Sequence, residues 1–370
     1  MSRKRHLDIH TLEMFAAEPA APVTAHSVLE VLRLWADAGM LRRLDVALAV
    51  WLHEQDPQVQ PCVLVAAAML AQMEGRGHSC LPLADLVATP NAVLGWDAED
   101  LPHLLALWER LPGTCAQWLQ ALQACPLVRA ATEADRAQPL VLAAVDSAHP
   151  LLYLRRYWDH ERMVAAHILQ RSTAAGVQLP EQAAREWLDR FFPVASGAGC
   201  NWQKVACAVA LRGRFSIITG GPGTGKTYTA ARLLALLFAT AAQPEQLRVA
   251  LSAPTGKAAA RLKESIETAL KDLQQVVGDA LDLEALVQRV GAARTLHSLL
   301  GARPDTRHWG FHAGRPLDVD VLIVDEASMV HLEMMSALLD ALPPHARLVL
   351  LGDKDQLASV EAGAVLGDLC

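Results

Sequence analysis

The sequence predicts an α/β protein in which a parallel β-sheet follows a mainly helical N-terminal domain. Three observations support this fold class. Between residues 24 and 125, apolar side chains recur three and four positions apart, which is typical of helices with one buried face. After residue 200, four short aliphatic runs alternate with helical segments, as expected for a parallel sheet covered on both faces. The segment from Pro193 to Gly199 is rich in small residues and is typical of a linker.

Composition narrows the class of protein. With 370 residues, of which 52% are hydrophobic and 20% charged, the chain is expected to form two or three globular domains. It has no apolar run near the roughly 20 residues that cross a bilayer and no apolar signal-peptide core, so we expect a cytoplasmic protein without a membrane partner. The seven cysteines form no C-x-x-C pair, which favours reduced structural thiols. A net charge of −7 means that any DNA contact must come from a local basic patch.

The pattern along the chain predicts three parts. Residues 1–136 form the helical domain, and residues 137–200 contain a strand pair, a helix from about Asp159 to Arg171 and the linker. Residues 201–370 form the α/β domain, with the domain boundary placed in the linker. The strand pair is predicted at Leu140–Val145 and Leu151–Tyr153, and the strands of the α/β domain at Phe215–Thr219, Leu247–Ser252, Val319–Val324 and Arg347–Leu351.

A phosphate-binding loop is the most specific motif in the sequence. The G-x-x-x-x-G-K-[ST] pattern comes directly after a predicted strand and before a helical run, which makes a plain glycine-rich turn an unlikely alternative. Glycines allow backbone N–H groups to surround phosphates, the lysine binds the β and γ phosphates, and the hydroxyl binds Mg²⁺. The sequence therefore predicts ATP and Mg²⁺ as cofactors, bound by Gly220, Gly221, Pro222, Gly223, Thr224, Gly225, Lys226 and Thr227.

Two further polar sites follow predicted strands. Asp325 and Glu326 form an acidic pair in which Asp325 is expected to hold Mg²⁺ and Glu326 to polarise the attacking water. An acid in this position can also simply cap the next helix. Gln356 follows the last strand and is predicted to meet the γ phosphate, although an ordinary polar turn would look similar.

The remaining candidates are weaker. A helix start at Pro254, Thr255, Gly256 and Lys257 offers free N–H groups and a cation for a DNA phosphate, but a solvated helix face remains an alternative. Thr295 and His297 are further candidates for the same strand, although a lone histidine is more often structural. Gln203 begins a helix that Asn201 can cap, and its amide could bind adenine unless it is simply a surface residue.

In this order, the motifs resemble those of superfamily 1 DNA helicases. They match the Q motif and motifs I, Ia, Ib, II and III of that superfamily: Gln203, Gly220–Thr227, Ala253–Ala259, Thr295–His297, Asp325–Ser328 and Gly352–Leu357. The stretches Leu152–Trp158, His312–Leu317 and Asp355–Leu366 are similar to the RecD family in particular, although Ala358 stands where many relatives have proline.

The resemblance implies a RecA-like P-loop NTPase fold and an ATP-driven motor that moves 5′ to 3′ on single-stranded DNA. It also implies work beside RecB-like and RecC-like subunits at double-strand ends during repair by recombination, with the helical N-terminal domain docking the partners. No nuclease constellation is present in the sequence, which agrees with a family whose nuclease lies on another subunit.

The sequence departs from the family pattern at its end. It stops at Cys370, shortly after the sixth motif, whereas family members continue into a second RecA-like domain that carries an arginine finger. We therefore expect this chain by itself to lack that domain, to bind nucleotide and to hydrolyse it poorly. Three alternatives stay open: a stand-alone RecD-like helicase, the motor of a conjugative relaxase, which the lack of clustered tyrosines disfavours, and a non-catalytic nucleotide-binding subunit.

Overall fold

The computed structural model describes residues 23–143, 149–173, 180–193, 200–303, 305–306, 308–356 and 362–370. The chain divides into two compact units, one running to Asp159 and including Gly363, the other beginning at His160. Most of the predicted linker, residues 194–199, lies outside the described residues. The units divide before that segment, so residues 160–193 belong to the second unit although the sequence grouped them with residues 137–200.

The first unit is built mainly of helices, as the apolar spacing predicts. Thr24 begins the first helix with a capping box, in which its hydroxyl accepts from the Ser27 N–H. The third helix is buried from Cys62 to Met73 and forms the centre of the core, because its apolar residues cover every face. Its helices are α1 (Ala25–Asp37), α2 (Arg43–Gln55), α3 (Pro61–Glu74), α4 (Leu83–Ala88), α5 (Pro90–Leu94), α6 (Leu101–Trp108) and α7 (Cys115–Ala124).

A four-stranded sheet completes this unit, with strands β1 (Cys80–Pro82), β2 (Val128–Ala130), β3 (Leu140–Ala143) and β4 (Leu151–Leu154) in the order β1-β4-β3-β2. Strands β3 and β4 are antiparallel, with Leu140 opposite Leu154. The predicted strand pair is therefore present, although residues 144–148, which include the end of the first predicted strand, lie outside the described residues. The helix predicted from Asp159 is longer in the structure, where α8 spans Arg155–Thr173.

The second unit alternates helices and strands. Its helices after α8 are α9 (Glu181–Phe191), α10 (Trp202–Arg212), α11 (Lys226–Thr240), α12 (Gly256–Val277), α13 (Leu283–Arg289), α14 (Leu296–Leu299), α15 (Leu332–Ala341) and α16 (Val365–Leu369). Its strands are β5 (Phe215–Thr219), β6 (Val249–Ala253), β7 (Arg294–Thr295), β8 (Val321–Val324) and β9 (Arg347–Gly352). The five strands are all parallel and lie in the order β5-β9-β8-β6-β7. This confirms the predicted α/β class with a parallel, RecA-like sheet behind a helical N-terminal region.

Two arginines, Arg171, which is buried, and Arg347, which is half-buried, bind the carbonyls at helix ends. Arg347 begins β9 and donates to the carbonyls of Leu211 at 2.9 Å and Gly213 at 2.6 Å, at the end of α10. Burial lowers the pKa of Arg347 to about 10, because its charge is partly removed from water. Arg171 donates in the same way to the carbonyl of Leu342, at 2.7 Å, after α15. Both arginines satisfy carbonyls that a helix end leaves without partners.

The sequence also predicts no membrane-spanning helix and reduced cysteines. Among the residues that the structure describes, no helix combines the length and the apolar character needed to cross a bilayer. The seven cysteines are all free thiols in the structure. Burial raises the pKa of Cys207 to about 12 and that of Cys62 to about 11, so these two thiols are held in their neutral form.

Candidate nucleotide and nucleic-acid site

The motifs that are distant in sequence meet at one edge of the parallel sheet. In a parallel sheet all strands end at the same edge, which is where such folds bind ligands. The Gly220 N–H donates to the carbonyl of Gly352 at 3.3 Å, so the phosphate loop is bonded to the end of β9. The Asp325 N–H donates to the carbonyl of Ser252 at 3.0 Å, so the acidic pair is bonded to the end of β6.

The phosphate loop has the open conformation that its glycines predict. Gly223 and Gly225 have positive φ angles of 74° and 83°, which residues with a Cβ rarely adopt. A Cβ added at Gly223 would meet nothing within 4 Å, so this face of the loop is open. Nζ of Lys226 donates to the carbonyls of Gly220 at 2.5 Å and Gly221 at 3.0 Å. The lysine therefore lies across the loop, at the N-terminus of the 15-residue helix α11.

Gln203 lies beside this loop. Asn201 caps α10, since its side chain accepts from the Lys204 N–H at 3.1 Å, and this confirms the predicted N-cap. The amide of Gln203 donates to the carbonyl of Thr224 at 3.2 Å. The cap and this hydrogen bond hold the glutamine against the phosphate loop, but its contact with adenine stays a prediction.

The acidic pair follows β8. Burial raises the pKa of the Asp325 carboxyl, although the Glu326 N–H, at 2.9 Å, and the positive charges of Lys226 and Arg261 oppose this rise. Glu326 has a φ of 51°, which is uncommon for a residue with a side chain and is typical of strained functional positions. Its side chain makes no capping hydrogen bond to the following turn, so the simple helix-cap alternative does not apply to it.

In the turn after β9, the predicted site residue Gln356 is exposed and a different residue, Asp353, is buried. Gln356 is exposed, and its N–H donates to the carbonyl of Asp353 at 3.3 Å. The buried side chain of this turn is Asp353, which is 6% exposed and accepts from the Asp355 N–H at 3.1 Å. The γ-phosphate role of Gln356 stays a prediction, and residues 357–361 of the RecD-like stretch lie outside the described residues.

The structure adds one more buried polar group to this edge. Ser328 is 6% exposed, and among the described residues its hydroxyl has no hydrogen-bond partner. The N–H of Ser328 would lie 3.3 Å from a Cβ added at Gly352, so the serine is next to the end of β9. Ser328 and Asp353 belong to the motifs recognised after β8 and β9, but the sequence indicated no role for either at the site, because their burial depends on strand order.

The candidate DNA residues are side by side at the other end of the same edge. Thr255 caps α12, accepting from the Ala258 N–H at 3.2 Å, and Thr295 caps α14, accepting from the Ser298 N–H at 3.2 Å. Ala253 pairs with Thr295 across β6 and β7. Pro254 and Gly256 flank the first cap, and a Cβ added at Gly256 would lie 4.0 Å from Cγ2 of Thr295. Lys257 and His297 are exposed nearby, so the two weak motifs form one surface.

The residues at this edge fit ATP with Mg²⁺. A glycine-rich loop, a helix N-terminus and a lysine that donates to two loop carbonyls match three requirements of a polyphosphate site. The described residues contain no group of three or more His, Cys, Asp or Glu side chains that could hold a metal ion alone. A cation would therefore depend on the hydroxyl of Thr227, the carboxylate of Asp325, phosphate oxygens and water, as Mg²⁺ sites in this class of protein do.

Two family models match the chain. Residues 37–146 match the model described as the N-terminal domain of the RecBCD enzyme subunit RecD. Residues 203–362 match the model described as an AAA domain. The first match lies in the helical unit, and the second covers the phosphate loop, the acidic pair and the candidate DNA residues.

Individual relatives agree with these matches. The chain is 47% identical to the RecBCD enzyme subunit RecD of Mycolicibacterium smegmatis over 342 residues, which is 91% of this chain and 54% of that protein. It is 45% identical to RecD of Haemophilus influenzae over 222 residues, covering 59% of this chain and 33% of the relative. It is 41% identical to the ATP-dependent RecD2 DNA helicase of Deinococcus radiodurans over 177 residues, covering 47% of this chain and 20% of that protein. The chain spans about half the length of the RecD proteins that it matches along most of its residues.

Proposed function

We propose that this chain, which belongs to the RecD family, carries the first motor domain of an ATP-dependent 5′–3′ DNA helicase subunit. The subunit would act in a RecBCD-type helicase and nuclease at double-strand ends, in repair by homologous recombination. The observation that carries this proposal is the single sheet edge at which the phosphate loop, the acidic pair and the capped helix starts of the DNA motifs meet.

The side chains at this edge divide the work of phosphoryl transfer. Bound Mg-ATP supplies the phosphoryl group that is transferred to water. Lys226, which donates to two loop carbonyls, would bind phosphate oxygens instead, and the Thr227 hydroxyl and Asp325 carboxylate would hold the cation. Glu326 orients the attacking water and accepts its proton, while the Gln356 amide contacts the γ phosphate. Gln203 positions the adenine end beside the loop.

DNA is proposed to lie across the other end of the edge. Thr255 begins a 22-residue helix whose free N–H groups can donate to phosphates of a single strand without reading its sequence, and Thr295 lies beside this helix start. Lys257 adds an exposed positive charge beside the first helix start. RecB-like and RecC-like subunits are the proposed protein partners, and the helical unit that matches the RecD N-terminal model is the proposed docking part.

Nucleotide binding and turnover test the proposal. We would titrate a fluorescent ATP analogue and measure hydrolysis with and without single-stranded DNA, for the chain alone and with its RecB-like and RecC-like partners. Lys226→Gln should weaken nucleotide binding at least about tenfold, because it removes the phosphate-binding cation. Lys271→Gln makes the same charge change at an exposed position of α12 and should bind as the wild type does.

The outcomes separate the candidate functions. Hydrolysis that DNA stimulates, and that Lys226→Gln abolishes, supports a motor. Nucleotide binding without turnover, even with both partners present, supports the alternative of a non-catalytic nucleotide-binding subunit. Equal nucleotide affinity in the Lys226→Gln and Lys271→Gln variants would refute the site itself.

A further inference from the structure

We propose that His297 and Trp309 form a stacking platform on which the bases of single-stranded DNA lie. The proposal rests on the proposed function, because it assumes that the strand crosses the edge formed by Thr255 and Thr295. It assigns a role to Trp309, which no sequence motif indicated. The two rings lie 5.9 Å apart between centroids and are tilted by 49° to each other.

The backbone holds the two rings together. After α14, the Ala302 N–H donates to the carbonyl of His297 at 2.9 Å. The chain then returns, and the Gly310 N–H donates to the carbonyl of Leu300, also at 2.9 Å. This return needs a close approach at Gly301, where an added Cβ would lie 3.2 Å from the Cα of Gly310. Trp309, the residue before Gly310, is therefore held beside His297 by the main chain.

The rings are also accessible to a ligand. His297 is exposed and Trp309 is half-buried, so both residues present part of their surface to solvent. Thr295, two residues before His297, caps the helix that carries it. Thr295 also pairs with Ala253, two residues before the N-cap of the 22-residue helix α12, so the platform lies on the same sheet edge as a helix start that can bind a phosphate.

The charges of this region favour a nucleic acid. From Gly301 to Pro316 the sequence contains three arginines and one aspartate, although the whole chain carries a net charge of −7. Arg315 lies over the ring of Phe311, with 5.2 Å from its guanidinium carbon to the ring centroid. Arginines interleaved with aromatic residues along one segment are typical of proteins that bind single strands without sequence preference.

Stacking predicts a different dependence on the strand than phosphate binding does. A base stacks on an aromatic ring through its π-face, so any base suffices, but a strand without bases gains nothing from the ring. Phosphate contacts instead depend on salt and are the same with or without bases. The two contributions can therefore be measured separately on the same protein.

The test measures the affinity of the full chain for a fluorescent oligothymidylate and for an abasic strand of equal length, by anisotropy over a range of salt concentrations. Trp309→Ala should weaken oligothymidylate binding about tenfold or more, leave the abasic strand unchanged and keep the salt dependence. Trp309→Phe should retain most of the affinity, because a ring remains. Lys257→Ala should weaken both strands and reduce the salt dependence.

Controls keep folding and function apart. Trp51→Ala removes an exposed tryptophan of the first unit and should bind both strands as the wild type does. Equal affinity of wild type and Trp309→Ala for oligothymidylate would overturn the platform while leaving the proposed function intact. A uniform loss on both strands would also overturn it, since the ring would then act on folding or charge. A wild-type chain that binds nucleotide but neither strand would overturn the platform together with the proposed DNA site.

Discussion

Gly225→Ala is expected to destabilise the second unit by about 2 kcal/mol and to disturb the nucleotide site. A left-handed backbone costs a residue with a Cβ about 1–2 kcal/mol, and Gly225 has a φ of 83°. The new Cβ would lie 2.5 Å from Nε2 of Gln203, which must move away from the Thr224 carbonyl that it binds. Losing that hydrogen bond costs about 0.5–1.5 kcal/mol. The lower entropy of the unfolded alanine chain returns about 0.4–1 kcal/mol.

Two neighbouring glycines are matched controls. Gly223 also has a positive φ, of 74°, but an added Cβ meets nothing within 4 Å, so Gly223→Ala should cost about 1 kcal/mol from strain alone. Gly221 has no positive φ and the same open surroundings, so Gly221→Ala should be neutral or slightly stabilising. The expected order of loss is therefore Gly225, then Gly223, then Gly221.

Hydrogen exchange of the α11 amides in increasing denaturant measures this order, because it reports on the second unit without the helical unit. The measurement is made without nucleotide, so that lost binding does not contribute to the free energy of unfolding. A Gly225→Ala variant as stable as Gly221→Ala would refute the conformation assigned to the loop. Equal losses at Gly223 and Gly225 would refute only the energetic role of the Gln203 contact.

Three further predictions concern other parts of the second unit. Burial raises the pKa of Asp325, so its carboxylate should take up a proton at a higher pH than an ordinary aspartate, whose pKa is about 4. The gain in nucleotide affinity that Mg²⁺ gives should therefore be lost on acidification before the pH falls to about 4. Asp325→Asn should remove that gain at every pH, and a wild-type gain that stays constant down to about pH 4 would contradict the argument. Arg347→Met should cost about 1.5–3 kcal/mol in denaturant unfolding, since carbonyls at the end of α10 lose a charged donor, whereas the exposed Arg212→Met should change little. Thr255→Ala should lower the stability of α12 by about 1 kcal/mol in hydrogen exchange, whereas Thr255→Ser, which keeps the capping hydroxyl, should retain the wild-type stability. Equal losses in the two variants would show that the hydroxyl does not stabilise the helix.

The strands could be predicted closely where local sequence determines them. β5 spans Phe215–Thr219 in both prediction and structure, because glycines precede and follow its aliphatic run. β6 and β8 each begin two residues later than predicted, at Val249 and Val321. The residues before these strands make other contacts. The side chain of Arg248 binds Asp320, and the Leu247 N–H donates to the carbonyl of Pro244 in a turn instead of to a neighbouring strand.

The site could be predicted in its local parts only. The phosphate loop depends on φ angles and spacings within eight residues, which glycine positions reveal. The burial of Asp353 and Ser328 depends on β9 lying next to β8, and the two-residue strand β7 carries too little pattern to recognise. Trp309 lies beside His297 because the Gly310 N–H donates to the carbonyl of Leu300, which turns the backbone back toward α14. These features require tertiary contacts between residues far apart in sequence.

Ser252 connects the acidic pair to the proposed DNA-binding end of the sheet edge. Its carbonyl accepts from the Asp325 N–H at 3.0 Å, and its hydroxyl donates to the Arg294 carbonyl at 2.9 Å. The residue is fully buried, so water does not compete for either hydrogen bond. Three residues later, Thr255 begins the helix proposed to bind DNA. One residue therefore bonds both the strand end that carries Asp325 and the strand that precedes Thr295. Under the proposed function, Ser252 would link the nucleotide site to the proposed DNA site.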